Sequence, residues 1–199
     1  LYFELTKPSK VWVDTTFVGS SKLLQSPQKF DVTDELSPGE HYITVRIDNR
    51  KELTPYGGAH IYSEDTQTNW NGIIGEMKLQ AMPKTYISNL QAYPDIDDKT
   101  VNINLSIENR SELDTAEVKL IVEKTSNGTS ERLPTQTVER SLKSEMQLEY
   151  KLGEATELWG EYQQPLYRLT VVINHVGGKD AKTIPFGMRE FKAEGTQFQ

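Results

Sequence analysis

Apolar residues alternate with polar ones along most of this sequence. The clearest stretch is VNINLSIE at residues 101–108. Because successive side chains of a β-strand point to opposite faces of a sheet, a period of two indicates a strand that buries one face only. No stretch shows the spacing of a long amphipathic helix. The other runs predicted as strands are 10–13, 41–48, 75–81, 116–124, 146–152 and 167–175.

Turn-forming residues separate these runs. Pro38-Gly39 fixes one backbone angle and frees the next, and Asn127-Gly128 accepts the positive φ values of a tight hairpin. Residues 176–180, VGGKD, follow a long predicted strand in the same way. Short strands joined by turns every 8 to 15 residues or so predict an all-β chain built of sandwiches, not a parallel α/β sheet.

The chain has 199 residues, more than a typical single domain. Pro83 stops ladder pairing, and a new alternation starts at Tyr86. We therefore predict domains at residues 1–82 and 83–186, with 187–199 leading out of the second. The first range is short of strands and begins in mid-strand, and the tail has no terminator, so we expect a longer parent protein.

The charge balance and the lack of cysteine exclude several functional classes. Lys and Arg number 22 against 29 Asp and Glu, for a net charge of −7, which disfavours a nucleic-acid partner. Without cysteine there are no disulfides, thiolate nucleophiles or zinc–sulfur sites. No apolar run approaches the roughly 20 residues that span a bilayer. We expect no cofactor and no membrane partner.

The candidate metal and catalytic residues are sparse. His41, His60 and His175 are dispersed, with no spacing that places two imidazoles on one ion. The acidic run 95–98 lacks the glycine and the final glutamate of a calcium loop, so we interpret it as a solvated turn. No nucleophile and base show characteristic spacing. We therefore predict no metal site and no catalytic residue in this chain.

Two of the three tryptophans fall in or beside predicted strands. Trp12 alternates with Val11 and Val13, so it can stack on a sugar ring, but packing in a core is the commoner fate of a strand tryptophan. Trp159 precedes a strand, and we predict a structural role for it.

The stretch TQTNWNGIIGE, residues 66–76, differs from the rest of the chain. Trp70 lies outside regular alternation and is flanked by Asn69 and Asn71, with Gln67 close by. Amides that donate and accept beside an aromatic face suit a polyhydroxylated ligand. A loop that folds on itself through amide-to-backbone bonds would need the same residues, so the composition alone favours neither interpretation.

Five segments in order resemble the family-2 glycoside hydrolases, which include β-galactosidases, β-glucuronidases and β-mannosidases. They are KVWVDTTFVGS, KFDVTDELSPGEHYITVRIDN, NWNGIIGEMKLQA, LWGEYQQPLYRLTVVI and FGMRE. The resemblance implies that 1–82 is the later part of a jelly-roll sugar-binding domain and 83–186 an immunoglobulin-like sandwich. Residues 187–199 would then lead to a TIM barrel that is absent here and carries the catalytic glutamates.

The resemblance also suggests a role for the unusual stretch. In the family, the loop before the closing strand reaches toward the active site of the barrel and can touch the terminal sugar. Asn69 stands where related β-glucuronidases also have Asn, whereas Thr66, with Asp65 adjacent, replaces an acidic residue of several members. The implied substrate-binding residues are Asp65, Thr66, Gln67, Asn69 and Trp70.

Two functions remain open from the sequence. The first is the non-catalytic β-sandwich portion of an exo-acting β-glycosidase, with a terminal β-linked sugar as substrate and the barrel as its intramolecular partner. The second is a stand-alone carbohydrate-binding or cell-surface adhesion module, because tandem sandwiches are common in both classes. The resemblance to bacterial polysaccharide-degrading enzymes suggests a periplasmic or secreted location.

Overall fold

The computed structural model describes residues 1–24, 26–53, 71–111 and 113–198. They divide into two compact units, Leu1–Ala81 and Met82–Gln199. The regular structure of these residues consists of β-strands and short 3-10 helices, so the all-β prediction is confirmed. In this part of the chain no helix is long and apolar enough to cross a membrane.

The described part of the first unit contains six short strands in two sheets. The sheet orders are β3-β2-β5 and β4-β1-β6, and every pairing is antiparallel. The strands are β1 Tyr2–Phe3, β2 Ser9–Val13, β3 Thr16–Ser21, β4 Gln28–Lys29, β5 Ile43–Ile47 and β6 Met77–Lys78, and the 3-10 helices are Thr33–Glu35 and Lys51–Leu53.

Aromatic and branched side chains form the core of this unit. Phe3 and Val11 are fully buried, and Phe30 completes the cluster with its ring centroid 5.9 Å from that of Phe3. Val18 and Val45 pack against it from the strands on either side of β2. The inner face of β2 therefore joins the two sheets.

The second unit is a β-sandwich. One sheet has the order β12-β8-β7, and the other has the order β10-β9-β13-β14, with β11 also paired to β9. The strands are β7 Thr85–Asp95, β8 Thr100–Asn109, β9 Thr115–Ser126, β10 Thr129–Arg132, β11 Gln136–Ser141, β12 Glu145–Lys151, β13 Leu166–His175 and β14 Gly178–Phe186, with a 3-10 helix at Gly153–Ala155 and two short strands, β15 Ala193–Glu194 and β16 Gln197–Phe198.

The alternation that predicted β8 places one continuous apolar face in this core. The buried residues of three strands meet between the sheets, namely Val101, Ile103, Leu105 and Ile107 of β8, Val118, Leu120 and Val122 of β9, and Leu169, Val171 and Ile173 of β13. Asn127 and Gly128 have φ values of 49° and 76° in the turn between β9 and β10, as predicted for a tight hairpin.

Several strands differ from the prediction, since β3, β4, β10 and β11 lie outside the predicted runs. The expected strand 75–81 is only two residues long, because Gly75 lies against the backbone of Glu4 instead of continuing a ladder. β14 was not predicted, because its outer part, Gly178-Lys179-Asp180, is polar on both faces.

Two side chains of β14 bind the backbone of β7, which belongs to the opposite sheet. The carboxylate of Asp180 accepts a hydrogen bond from the Ile87 N–H at 2.8 Å. The ammonium of Lys182 donates to the Ser88 carbonyl at 2.7 Å. These contacts fall where β7 has an irregularity between Ile87 and Asn89, so they satisfy backbone groups that the ladder does not use.

We expect Asp180→Ala to lower the free energy of unfolding by about 1–3 kcal/mol, because the N–H of Ile87 loses a charged acceptor. Asp180→Asn should lose less, since it keeps an oxygen acceptor. Urea unfolding followed by circular dichroism measures both. The matched control is Asp98→Ala in an exposed turn, and an equal loss in that variant would contradict the role of Asp180.

A buried lysine ties the segment after β12 to β9. Lys124 is 9% exposed, and its ammonium lies 2.8 Å from the Glu157 carboxylate and 3.5 Å from that of Glu131. Ser126 donates to Glu157 at 2.8 Å, and the Glu157 N–H donates to the Tyr167 hydroxyl at 2.8 Å. The hydrogen bond between Lys124 and Glu157 lowers the pKa of the Glu157 carboxyl and raises the pKa of the Lys124 ammonium.

Glu157 should therefore make stability depend on pH. Because its pKa is lower in the folded protein, the stabilisation is complete above its unfolded value of about 4.3 and is lost as the pH falls through the folded value. We expect Glu157→Gln to be less stable than the wild type in urea at about pH 7 and to approach it at about pH 3.

Glu154→Gln is the control for this comparison. Glu154 pairs with Lys99 at 3.0 Å but its side chain is almost fully exposed, so its loss should change stability little at either pH. A constant difference between wild type and Glu157→Gln across the pH range would contradict the ion pair as its cause.

Candidate functional site

The sequence-predicted substrate-binding residues Asp65, Thr66, Gln67, Asn69 and Trp70 lie outside the described residues, within the segment 54–70. The structure does describe both ends of this segment. These ends show what holds the segment on the first unit.

The entry end is fixed by Asp48. Its N–H donates to the Pro8 carbonyl at 2.9 Å, and its carboxylate accepts from the backbone N–H of Arg50 at 3.2 Å and from its Nε at 2.9 Å. The hydrogen bonds from Arg50 lower the pKa of Asp48 to about 2, so this carboxylate stays ionised at neutral pH. The 3-10 helix Lys51–Leu53 follows and leads to the segment.

The exit end is fixed on the first residues of the chain. Ile73 forms a β-bridge with Thr6, and the N–H groups of Ile74 and Gly75 donate to the carbonyls of Leu5 and Glu4 at 3.2 Å each. A Cβ atom on Gly75 would lie 2.5 Å from the Cβ of Glu4, so only glycine fits there. The second half of TQTNWNGIIGE is therefore a structural anchor.

Residues 4–8 thus bind the chain on both sides of the segment, at Asp48 and at residues 73–75. Thr6 and Lys7 have almost no exposed surface. Beside them the fully buried Gln28 donates to the carbonyls of Lys7 and Leu23 at 3.2 and 2.6 Å, and Ser9 donates to its side-chain oxygen. Because buried polar groups in hydrogen-bonded networks are rigid, the chain leading into the segment and the chain leaving it rest on a fixed support.

Trp12 does not pack in the core. Val11 and Val13 of the same strand point inward and are buried, whereas Trp12 is half-buried on the opposite face of the sheet. Its ring centroid lies 5.5 Å from that of Phe17, which is 52% exposed. The predicted core packing of Trp12 is therefore wrong, because both faces of this strand carry apolar residues and the alternation does not show which one is covered.

Trp159 has the structural role that the sequence predicted. The backbone N–H of Trp159 donates to the Met188 carbonyl at 2.9 Å, and the Arg189 guanidinium lies 4.8 Å from the centre of the indole ring. A Cβ on Gly187 would lie 3.3 Å from the indole. The tryptophan thus holds the chain that follows β14.

The described histidines and acidic turn have local partners. His41 Nδ1 lies 2.8 Å from the Asp14 carboxylate and its Nε2 lies 2.9 Å from the Ser37 carbonyl, which together raise its pKa. The carboxylate of Asp95 accepts two N–H groups of its own turn. Within the ranges given above, no three His, Asp or Glu side chains converge on a common point as metal ligands would. His60 lies outside those ranges.

Sequence reasoning missed the neighbours of Trp12. Asp14, with a φ of 50°, begins the two-residue turn that brings Phe17 opposite Trp12, while Thr44 lies beside it on β5. The signal was the short spacing of Trp12 and Phe17 around an Asp-Thr pair, which is typical of a tight hairpin.

The chain is similar in sequence to two curated beta-galactosidase chains. The chain is 27% identical over 190 residues to a beta-galactosidase of Clostridium acetobutylicum, which covers 92% of the chain and 19% of that protein. It is 24% identical over 194 residues to the beta-galactosidase large subunit of Latilactobacillus sakei, which covers 92% of the chain and 28% of that subunit.

Solved structures share the fold. Bacteroides uniformis beta-glucuronidase 2 superposes with a TM-score of 0.71 at 19% identity, over 96% of this chain and 24% of the other. Bifidobacterium dentium beta-glucuronidase gives 0.66 at 16% identity, over all of this chain and 37% of the other.

The chain spans only 19% and 28% of the length of these two curated relatives. Residues 85–189, more than half of the chain, match the family described as Glycosyl hydrolases family 2. On this match the chain belongs to glycosyl hydrolase family 2.

Proposed function

We propose that this chain is the non-catalytic β-sandwich portion of an exo-acting β-glycosidase that hydrolyses O-glycosidic bonds in carbohydrate. The proposal rests on the small share of its relatives' length that this chain covers. A family-2 chain of two β units matches only 19% and 28% of the length of two beta-galactosidases. The chemistry then belongs to another part of the protein, for which we propose a TIM barrel with two carboxylates.

The role of this portion is to support the barrel and to lend residues 65–70 to the sugar pocket. Functional side chains are commonly carried on loops that a rigid scaffold positions. Residues 4–8 supply that support here, since they bind Asp48 before the segment 54–70 and residues 73–75 after it. The amides and the indole of Gln67, Asn69 and Trp70 suit a terminal β-linked sugar.

Neither a cofactor nor a metal is needed from this portion, since glycoside hydrolysis of this class proceeds through two carboxylates. We propose a periplasmic or secreted location, which fits an enzyme acting on oligosaccharides or polysaccharides. The jelly-roll topology of the first unit is likewise part of this proposal.

The exposed ring of Phe17 beside the half-buried Trp12 favours a second candidate, a stand-alone carbohydrate-binding or adhesion module. The parent reading frame separates the two candidates. About 300 further residues with βα periodicity would support the hydrolase, because a TIM barrel needs about 250. A binding module would lack them.

In the full-length protein, Asn69→Ala should lower kcat/KM for small aryl β-glycosides roughly tenfold to a hundredfold, because leaving a buried sugar hydroxyl without its partner costs about 1–3 kcal/mol. Galactoside, glucuronide and mannoside substrates are assayed in parallel. The matched control is Asn71→Ala, an exposed asparagine two residues away that should leave the rate unchanged. Equal rates for wild type and Asn69→Ala would refute the contact.

The isolated chain should bind methyl β-galactoside, β-glucuronide and β-mannoside weakly or not at all in calorimetric titrations. A small-ligand site needs enclosure, and in the proposal the other half of the pocket belongs to the barrel. Micromolar affinity for any of these monosaccharides would instead support the stand-alone binding module.

A further inference from the structure

We propose that the outer face of the β3-β2-β5 sheet binds an acidic polysaccharide, at a site separate from residues 65–70. This face, here called the aromatic face, consists of Lys10, Trp12, Phe17, Thr44 and Arg46. The choice of a glycan as the ligand rests on the function proposed above.

The register of the sheet determines which side chains share this face. Val11 and Val13 of the central strand point into the unit, so Lys10 and Trp12 point outward. Trp12 lies opposite Phe17 on β3 and opposite Thr44 on β5. The next outward position places Lys10 between Ser20 on β3 and Arg46 on β5. Aromatic groups thus occupy one half of the face, and cations and hydroxyls the other.

The aromatic half is open to solvent. Phe17 is 52% exposed and Trp12 half-buried, and their planes are inclined by 57°. Tyr42, at the same end of the sheet, is 71% exposed, and its backbone is held by Asp14, whose N–H donates to the Tyr42 carbonyl at 2.7 Å. Grouped exposed aromatics mark binding surfaces, and their apolar rings suit the C–H face of a sugar ring.

The polar half carries positive charge in an acidic protein. The chain has a net charge of −7, yet Lys10 and Arg46 are exposed cross-strand neighbours. Arg46 donates a hydrogen bond to Asp48 at 3.4 Å, whereas Arg50 lies closer to the same carboxylate, at 2.8 Å. The Arg46 side chain is 55% exposed and keeps further N–H donors, so a ligand carboxylate can bind its planar fork beside Asp48. This complementarity favours a uronic acid polymer over a neutral one.

The same composition argues against a protein partner. Lysine is depleted in the dry centre of protein interfaces, whereas here Lys10 stands next to Trp12 in the middle of the face. The hydroxyls of Ser20 and Thr44 and the two cations instead offer donors and acceptors for a wet, hydroxyl-rich ligand.

The test is calorimetric titration of the 199-residue chain with sodium polygalacturonate and with its methyl-esterified form, which removes the charge from the same backbone. We expect binding of the acidic polymer that weakens when the salt is raised to about 0.5 M. Trp12→Ala should weaken it roughly tenfold, as expected for an aromatic anchor. The double variant Lys10→Gln/Arg46→Gln should cause a similar loss and remove most of the salt dependence.

Tyr162→Ala is the matched control, because Tyr162 is an 89% exposed aromatic in the second unit, and it should not change the affinity. Thermal unfolding of every variant verifies folding, and the double variant alters only exposed side chains, so it tests the proposal even if Trp12→Ala unfolds.

Three results would overturn the proposal. They are no binding of polygalacturonate by the wild type, equal binding of the esterified polymer without a salt effect, or unchanged affinity in both variants. Sedimentation velocity adds a fourth, since a wild-type dimer that Trp12→Ala converts to a monomer would identify a second copy as the occupant. Failure here leaves the Asn69→Ala assay on small glycosides unaffected, so the two proposals fail separately.

Discussion

Burial of one apolar face per strand is the constraint on which the second unit depends. Ile103, Val118 and Leu169 come from three strands and have no exposed surface, and each such side chain contributes about 1.5–3 kcal/mol. Because the side-chain period is two, a slip of one residue would turn each apolar face into water. The same burial therefore sets the register, and with it the positions of Lys124 and Asp180.

Local patterning was sufficient for the strands that face this core and insufficient elsewhere. β8, β9, β12 and β13 follow from their alternation, because one side of each is dry. β14 could not be found in this way, since Asp180 and Lys182 are polar residues whose partners on β7 are more than 90 positions away. The role of these two side chains, which is to bind the backbone of the opposite sheet, follows only from the packing of the two sheets.

The candidate site shows the same limit. Gly75 in the stretch NGIIGE looks like a turn residue. Only glycine fits there, however, because Glu4, from a distant part of the chain, lies against it. For Trp12 the sequence favours core packing only because that is the commoner fate of a strand tryptophan, and the run VWV, apolar throughout, does not tell the covered face from the open one. Resemblance to a family identified residues 65–70 as a candidate site, which periodicity could not do.

Binding of the chain on both sides of the segment 54–70 to residues 4–8 has a consequence for how such proteins diversify. Changing the length of a closed loop costs little, about 0.6 kcal/mol for each doubling. Insertions and substitutions between the two anchors would therefore leave the hydrogen bonds of Gln28 and Asp48 intact. Under the function proposed above, substrate preference would change by exchange of this one segment, while the sheets stay under separate selection for stability.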